Sequence, residues 1–157
     1  MEKKQLIIDY IEYDLMAEMR KDEWELMISA MDAAKNAWAP YSNFCVGAAA
    51  KLADGTVVTG CNQENVAYPS GMCAERVALF AAAAAHPDVP VEALAVVGKD
   101  SSGFVEASPC GACRQVLAEM EKRYGNRIKV FCYLDEGRIR VTDGVESLLP
   151  FTFKADL

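Results

Sequence analysis

The spacing of apolar and polar positions divides the chain into helical and extended segments. Residues 21–38 have the 3.6-residue apolar period of a helix, with Trp24 and Met27 on its apolar face. Asp22 and Glu25 fit a capping box at the start of this helix. The pattern therefore predicts an amphipathic helix near the N-terminus that packs one face against a core.

Extended runs and two more helices follow. The letters FCVGAAAKLADGTVVTGCN hold two strand-like runs joined at Asp54 and Gly55, a dipeptide typical of hairpin turns. A helix is predicted over residues 73–85, before Pro87, and another begins at the letters PCGAC and closes at Gly125. The other strand-like runs are VEALAVVG, IKVFCYL and GRIRVT, and VESLLPF has the pattern of a short terminal helix.

The order helix, hairpin, helix, strand, helix, strand, strand is typical of a mixed sheet with helices packed on its faces. The sequence contains no internal repeat, low-complexity tract or interdomain linker. We therefore expect one α/β domain, built as a three-layer α/β/α sandwich.

Composition and charge narrow the class of protein. Of 157 residues 52% are apolar, yet no run approaches the roughly 18 apolar residues of a membrane helix. The N-terminal letters MEKKQLIIDYIEYDL are charged throughout, unlike an export signal, which predicts a cytoplasmic protein without a membrane partner. The net charge of -7 and the scattered basic residues argue against nucleic acid as a partner and favour a small, uncharged or cationic substrate.

Three of the six cysteines have the spacing of a metal site. Cys110 and Cys113 lie three residues apart in the first turn of a predicted helix, so their sulfurs share one side. A thioredoxin-like redox pair has the same spacing. Cys73 also opens a helix, and three thiolates would leave one position of a tetrahedral zinc ion open, as in catalytic zinc sites.

Two charged residues follow Cys73 directly. Glu75 is placed to move protons at such a metal, since first-turn side chains lean toward the helix N-terminus. Arg76 faces the same way as Cys73 and can donate hydrogen bonds to the ligand sulfurs, which draws off their negative charge. We therefore predict one metal ligand, one proton carrier and one residue that tunes the sulfurs within this turn.

These letters resemble a known family. CAE followed by PCGACRQ is similar to the short, three-cysteine form of the cytidine deaminases, which are zinc-dependent nucleoside deaminases. YSNFCVGAA, GCNQENVAY and LLPFTF resemble family segments in the same order, over roughly residues 40 to 153. The resemblance implies a mixed five-stranded sheet and a catalytic domain over 21–157, preceded by an N-terminal extension over 1–20 within a single cytidine deaminase-like domain, 1–157.

The resemblance also implies the chemistry. Cytidine and deoxycytidine become uridine and deoxyuridine, with release of ammonia, in pyrimidine salvage. A zinc-activated hydroxide attacks C4 while Glu75 shuttles the protons. Substrate contacts implied at the matching positions are an aromatic packed on the pyrimidine, two ribose-binding side chains and one residue beside the catalytic acid, namely Phe44, Asn62, Glu64 and Ala74. Members of this type are homotetramers, and Phe153 resembles an aromatic that reaches a neighbouring subunit.

Other interpretations stay open on the sequence alone. A deaminase of a nucleoside antibiotic such as blasticidin S shares the three-cysteine site. A non-enzymatic protein in which zinc joins two helices is a second alternative, although no fourth ligand stands near the trio in sequence. Cys45, Cys61 and Cys132 lie in apolar runs and are expected to act as small hydrophobic residues.

Overall fold

The computed structural model describes residues 1–155, within which three α-helices and seven strands form one mixed α/β structure. In chain order the elements are β1 (Ile11–Tyr13), α1 (Lys21–Ala34), β2 (Cys45–Leu52), β3 (Val57–Cys61), α2 (Ala74–Ala85), β4 (Val91–Asp100), β5 (Gly103–Val105), α3 (Gly111–Tyr124), β6 (Lys129–Tyr133) and β7 (Ile139–Asp143).

The strands form a single sheet in the order β1-β7-β6-β4-β2-β3, with β5 paired to β4. β4 and β6 pair in parallel through the α3 crossover, and the other pairs are antiparallel. The predicted mixed sheet is confirmed, and its five expected strands are β2, β3, β4, β6 and β7. β1 and β5, of three residues each, raise the count to seven.

Alternating side chains separate two cores on the two faces of the sheet. In β2, Ala48, Ala50 and Leu52 face a core shared with α2 and α3. Ala49 faces the opposite core, which α1 covers. This period of two confirms the three-layer arrangement, with α1 on one face and α2 and α3 on the other.

Glycines let two helices approach the sheet closely. A Cβ atom at Gly47 would lie 2.0 Å from the carbonyl oxygen of Ala30 in α1. A Cβ atom at Gly60 would lie 2.5 Å from the backbone nitrogen of Ala78 in α2. The absence of a side chain at Gly60 therefore allows α2, which begins directly after Cys73, to pack close to β3.

The start and end of α1 differ from the prediction. The Glu23 carboxylate accepts a hydrogen bond from the backbone N–H of Arg20, the N-cap residue, at 3.4 Å and another from the Arg20 guanidinium at 2.9 Å. The predicted box of Asp22 and Glu25 is wrong because the helix begins at Lys21, which makes Glu23 the third helical residue. The helix ends at Ala34, four residues before the predicted end at 38.

The other helix ends follow the prediction more closely. α2 begins after its N-cap Cys73 and ends before Pro87. α3 closes at Gly125, whose φ of 69° is the left-handed conformation that glycine adopts readily. The predicted terminal helix is reduced to one 3-10 turn, Val145–Ser147. No helix in residues 1–155 has the length and apolarity needed to cross a membrane.

The N-terminal segment is attached to the sheet edge by its second half. β1 pairs with β7, and Glu12 accepts a hydrogen bond from Arg138 at 2.9 Å. Tyr13 and Met16 pack against the core beneath α1, and Met19 is buried within it. Residues 1–10 are exposed and form no helix or strand. The extension is thus a short edge strand preceded by an exposed leader, residues 1–10.

Candidate active site

Two helix N-termini bring the three predicted metal ligands together. Cys73 is the N-cap of α2 and Cys110 is the N-cap of α3, while Cys113 lies in the first turn of α3. Both helices pack on the same face of the sheet, so their N-termini meet. Unpaired backbone N–H groups at helix starts favour negative charge, which stabilises thiolates there.

The sulfur separations fit zinc. The Sγ atoms of Cys73 and Cys110 lie 3.8 Å apart, and those of Cys110 and Cys113 lie 3.5 Å apart. Neighbouring sulfurs of a tetrahedral centre with Zn–S bonds of about 2.3 Å stand about 3.8 Å apart. Within residues 1–155, no histidine, carboxylate or further cysteine joins this group. Three ligands with one open position are typical of a catalytic rather than a structural zinc site.

The charge state of the thiols suits metal binding. A hydrogen bond with Cys113, reinforced by Arg76, lowers the pKa of Cys73 to about 5. The pKa of Cys113 is raised, because its thiol makes that hydrogen bond to Cys73 and is buried. Arg76 lies three residues after Cys73, and its Nη2 atom donates to the Cys73 sulfur at 3.5 Å. Arg76 therefore places a fixed cation beside the Cys73 sulfur.

Glu75 is one of the few buried carboxylic acids of the chain. It is 4% exposed and lies in the first turn of α2, two residues after Cys73. Burial raises the pKa of Glu75, and the nearby Cys73 thiolate raises it further. A buried carboxyl group with a raised pKa is a suitable general acid and base.

A cavity of about 820 Å³ opens over these residues. Its walls include the predicted residues Phe44, Asn62, Glu64, Cys73, Ala74, Glu75, Arg76 and Cys110. Cys113 lies beneath the cavity and is fully buried. The volume lies in the range of small-molecule sites, about 300 to 1,000 Å³. Residues separated by more than sixty positions in the sequence thus share one concave surface.

Asn62 and Glu64 form hydrogen bonds to residues 41–46, which line one wall of this cavity. The Asn62 amide accepts a hydrogen bond from the Val46 backbone N–H at 2.7 Å and donates one to the Phe44 carbonyl at 2.9 Å. The Glu64 carboxylate accepts from the backbone N–H of Tyr41 at 2.9 Å and from the Ser42 hydroxyl. These hydrogen bonds lower the pKa of Glu64. Asn62 and Glu64 therefore order the segment that carries Phe44.

Phe153 lies apart from the cavity in a single chain. Its ring is exposed, with 80% of the residue accessible, and its carbonyl accepts a hydrogen bond from Gln115 at 3.1 Å. Gln115 belongs to α3, two residues after Cys113. The C-terminal segment is thus attached to the helix that carries two of the cysteines.

Sequence reasoning missed several cavity residues. Tyr41 and Tyr68 line its rim with ring centroids 6.2 Å apart, and both side chains are exposed. The sequence indicates Ser42, which donates a hydrogen bond to Glu64, only as part of the segment YSNF. Glu106 also lines the cavity, and no spacing or motif singles it out.

The remaining cysteines behave as predicted in part. Cys132 is buried, and burial raises its pKa to about 11, which makes it an inert, small apolar residue. Cys45 and Cys61 are only half-buried, on adjacent strands β2 and β3. All six cysteines are free.

Comparisons with known proteins agree with this geometry. The cytidine deaminase of Sporosarcina psychrophila is 44% identical over 137 residues, which cover 87% of this chain and 95% of that protein. The crystal structure of cytidine deaminase from Burkholderia pseudomallei superposes with a TM-score of 0.70 at 44% identity, over 82% of this chain and 97% of that one. The structure of the Mycobacterium tuberculosis cytidine deaminase gives 0.67 at 34% identity, over 87% and 100%.

A family model agrees with these relatives. The model described as the cytidine and deoxycytidylate deaminase zinc-binding region matches residues 19–125, a span that contains the three candidate ligand cysteines and Glu75. Together with the relatives, this match shows that the chain belongs to the cytidine and deoxycytidylate deaminase family.

Proposed function

We propose that this chain is a zinc-dependent hydrolytic deaminase that converts cytidine and deoxycytidine to uridine and deoxyuridine, with release of ammonia. One observation carries the proposal: three sulfurs at zinc spacing and a buried carboxyl group meet at one cavity. Relatives that carry the name cytidine deaminase support the choice of substrate. The reaction suits a role in pyrimidine salvage.

Cys73, Cys110 and Cys113 would hold the zinc ion. When bound there, zinc supplies Lewis-acid activation of water, so that hydroxide is available near neutral pH. Arg76 is a positioning residue in this scheme, since it keeps the Cys73 sulfur in place and offsets the charge of three thiolates.

Glu75 would carry the protons. Its carboxylate accepts the proton of the attacking water and passes it to ring atom N3 of cytosine. The carboxyl group then assists the departure of the amino group as ammonia. Burial suits this role because a raised pKa makes the carboxylate a stronger base.

The cavity wall would orient the nucleoside. Phe44 packs on the pyrimidine, and Ala74 borders the base next to Glu75. Asn62 and Glu64 have free hydrogen-bonding positions for ribose hydroxyls, although both already bond to the segment that carries Phe44. Each Asn62 amide atom has one further hydrogen-bonding position, and the outer Glu64 oxygen accepts only the Ser42 hydroxyl.

A nucleoside suits this cavity better than a nucleotide. Among the described residues that line it, the basic side chain is Arg76, which is engaged with Cys73, whereas Glu64, Glu75 and Glu106 are acidic. A phosphate dianion would lack a cationic partner there. An acidic chain of net charge -7 also favours neither nucleic acid nor an anionic substrate.

We propose a homotetramer, located in the cytoplasm. Phe151 and Phe153 are exposed at 98% and 80%, and Tyr68 at the cavity rim is exposed at 76%, so a neighbouring chain has apolar rings to cover. Phe153 would then contact the neighbour's site. Light scattering should give four times the 17.1 kDa of one chain, and a monomer would refute this assembly. Six free thiols suit a reducing compartment.

The decisive test of the function is a direct assay. Purified protein is mixed with cytidine, deoxycytidine or blasticidin S, and ultraviolet absorbance and ammonia release are followed. We expect turnover of both nucleosides, and loss of turnover in Glu75→Gln with its zinc retained. Exclusive action on blasticidin S would contradict the assignment, as would full activity of Glu75→Gln.

A further inference from the structure

Gly98 lies under the aromatic ring that forms one wall of the cavity. Val46 of β2 pairs with Gly98 of β4, and Gly98 in turn pairs with Val105 of β5. Phe44 stands just before β2, on the same face of the sheet as Val46. Its ring therefore crosses diagonally over Gly98, as side chains do between neighbouring strands.

The contact leaves no room for a side chain at position 98. A Cβ atom on Gly98 would lie 2.7 Å from Cζ of Phe44 and 3.1 Å from Cγ2 of Val105. Ordinary contact begins at 3.4 Å, so a methyl group would push the ring outward by about 0.7 Å. The backbone at Gly98 has no positive φ, which means that alanine fits the strand itself.

The backbone of Phe44 cannot follow the ring. Its N–H donates to the Ser42 hydroxyl at 3.0 Å, and its carbonyl accepts from the Asn62 amide at 2.9 Å. Ser42 is held in turn by Glu64. With the backbone fixed by hydrogen bonds, the space above Gly98 determines where the ring lies.

We propose that Gly98 is a positioning residue for substrate binding, which sets the depth of the Phe44 ring in the cavity and thereby the fit of the pyrimidine. The proposal rests on the assignment of Phe44 to the pyrimidine in the proposed function. A stabilising role is a poor alternative, because the clashing atom is the far end of a side chain that can tilt at little cost to folding.

The test is a double-mutant cycle of Gly98→Ala and Phe44→Ala, with Lys99→Ala as control, since Lys99 faces the opposite side of β4. Gly98→Ala should raise the KM for cytidine about 3- to 10-fold, the range of one aromatic contact, with kcat within about twofold. Zinc content and the urea unfolding midpoint should be unchanged. In the Phe44→Ala background, Gly98→Ala should have no further effect on KM.

Two results would overturn the proposal. The first is an unchanged KM in Gly98→Ala, and the second is an equal rise of KM in the presence and absence of Phe44. A crystal structure of Gly98→Ala gives a readout that does not depend on turnover: an unmoved Phe44 ring excludes the positioning role. If the parent chain does not deaminate cytidine, the proposed function fails, whereas the ring displacement is still measured.

Discussion

The guanidinium of Arg76 donates a hydrogen bond to the sulfur of Cys73 at 3.5 Å, across one turn of α2. This contact places a permanent positive charge beside one of three thiol groups that lie within 4.8 Å of each other. Three thiolates would otherwise concentrate negative charge at the site, which weakens the acidity of a bound water. We therefore expect Arg76 to raise the affinity of the three cysteines for a metal ion.

Replacing Arg76 by alanine should weaken zinc binding by about 10- to 100-fold, because hydrogen-bond partners of metal ligands contribute this much to affinity. Competition against a chromophoric chelator measures the effect. Arg123→Ala, an exposed arginine at the end of α3, is the matched control and should leave zinc affinity unchanged. Equal zinc affinity in Arg76→Ala and the parent chain would exclude the tuning role.

Removing the Ser42 hydroxyl should change the acid dependence of KM. Hydrogen bonds from Ser42 and from the Tyr41 N–H hold the pKa of Glu64 below its ordinary 4.5. Because folding lowers the pKa of this carboxyl group, its hydrogen bonds to residues 41 and 42 contribute fully above the pKa of the unfolded chain. They are lost as the pH falls through the lower pKa of the folded chain. KM should thus stay constant down to about pH 5. In Ser42→Ala the rise in KM should begin at higher pH, and coincident profiles would refute this coupling.

Alanine at position 60 should destabilise the whole fold. Its Cβ atom would lie 2.5 Å from the Ala78 nitrogen and 2.6 Å from the Ala74 oxygen, both backbone atoms of α2 that cannot tilt aside. We expect a loss of about 1–3 kcal/mol in the free energy of unfolding, measured in urea. Thr59→Ala, on an exposed position of the same strand, should change it by less than about 0.5 kcal/mol. An equally stable Gly60→Ala would show that the α2 approach is looser than described.

The N-terminal extension should stabilise the chain through its second half alone. Met19 is 7% exposed within the core beneath α1, whereas Ile7 is 74% exposed. Met19→Ala should cost about 2–5 kcal/mol. Ile7→Ala should cost less than about 0.5 kcal/mol. Thermal and urea unfolding of the two variants provide the comparison, and a large loss in Ile7→Ala would reveal an additional contact of the leader.

Much of the site could be predicted because its chemistry is local in sequence. The letters CAER and PCGAC contain the candidate metal ligands, the candidate acid and the arginine. All of them lie at the starts of two predicted helices. The Asp54-Gly55 turn likewise predicted the antiparallel pairing of β2 and β3. Spacing and period are enough to predict a feature that lies within one helix, strand or turn.

Other features depend on contacts between distant segments. The hydrogen bonds that Asn62 and Glu64 make with residues 41–46 join positions about twenty apart, and no spacing in either segment indicates them. The same holds for Gly98 beneath Phe44, which requires the β2–β4 register. The short strand β5 forms because its partner β4 is present, not because three residues have a pattern.

The most direct test of the central claim is the zinc content of the reduced protein, measured by atomic absorption together with cytidine turnover. We predict one zinc ion per chain in the parent protein, and loss of both zinc and turnover in Cys110→Ser, with Cys132→Ser as a control that keeps both. A reduced parent chain that contains no zinc, and that stays inactive toward cytidine after zinc is added, would contradict the account.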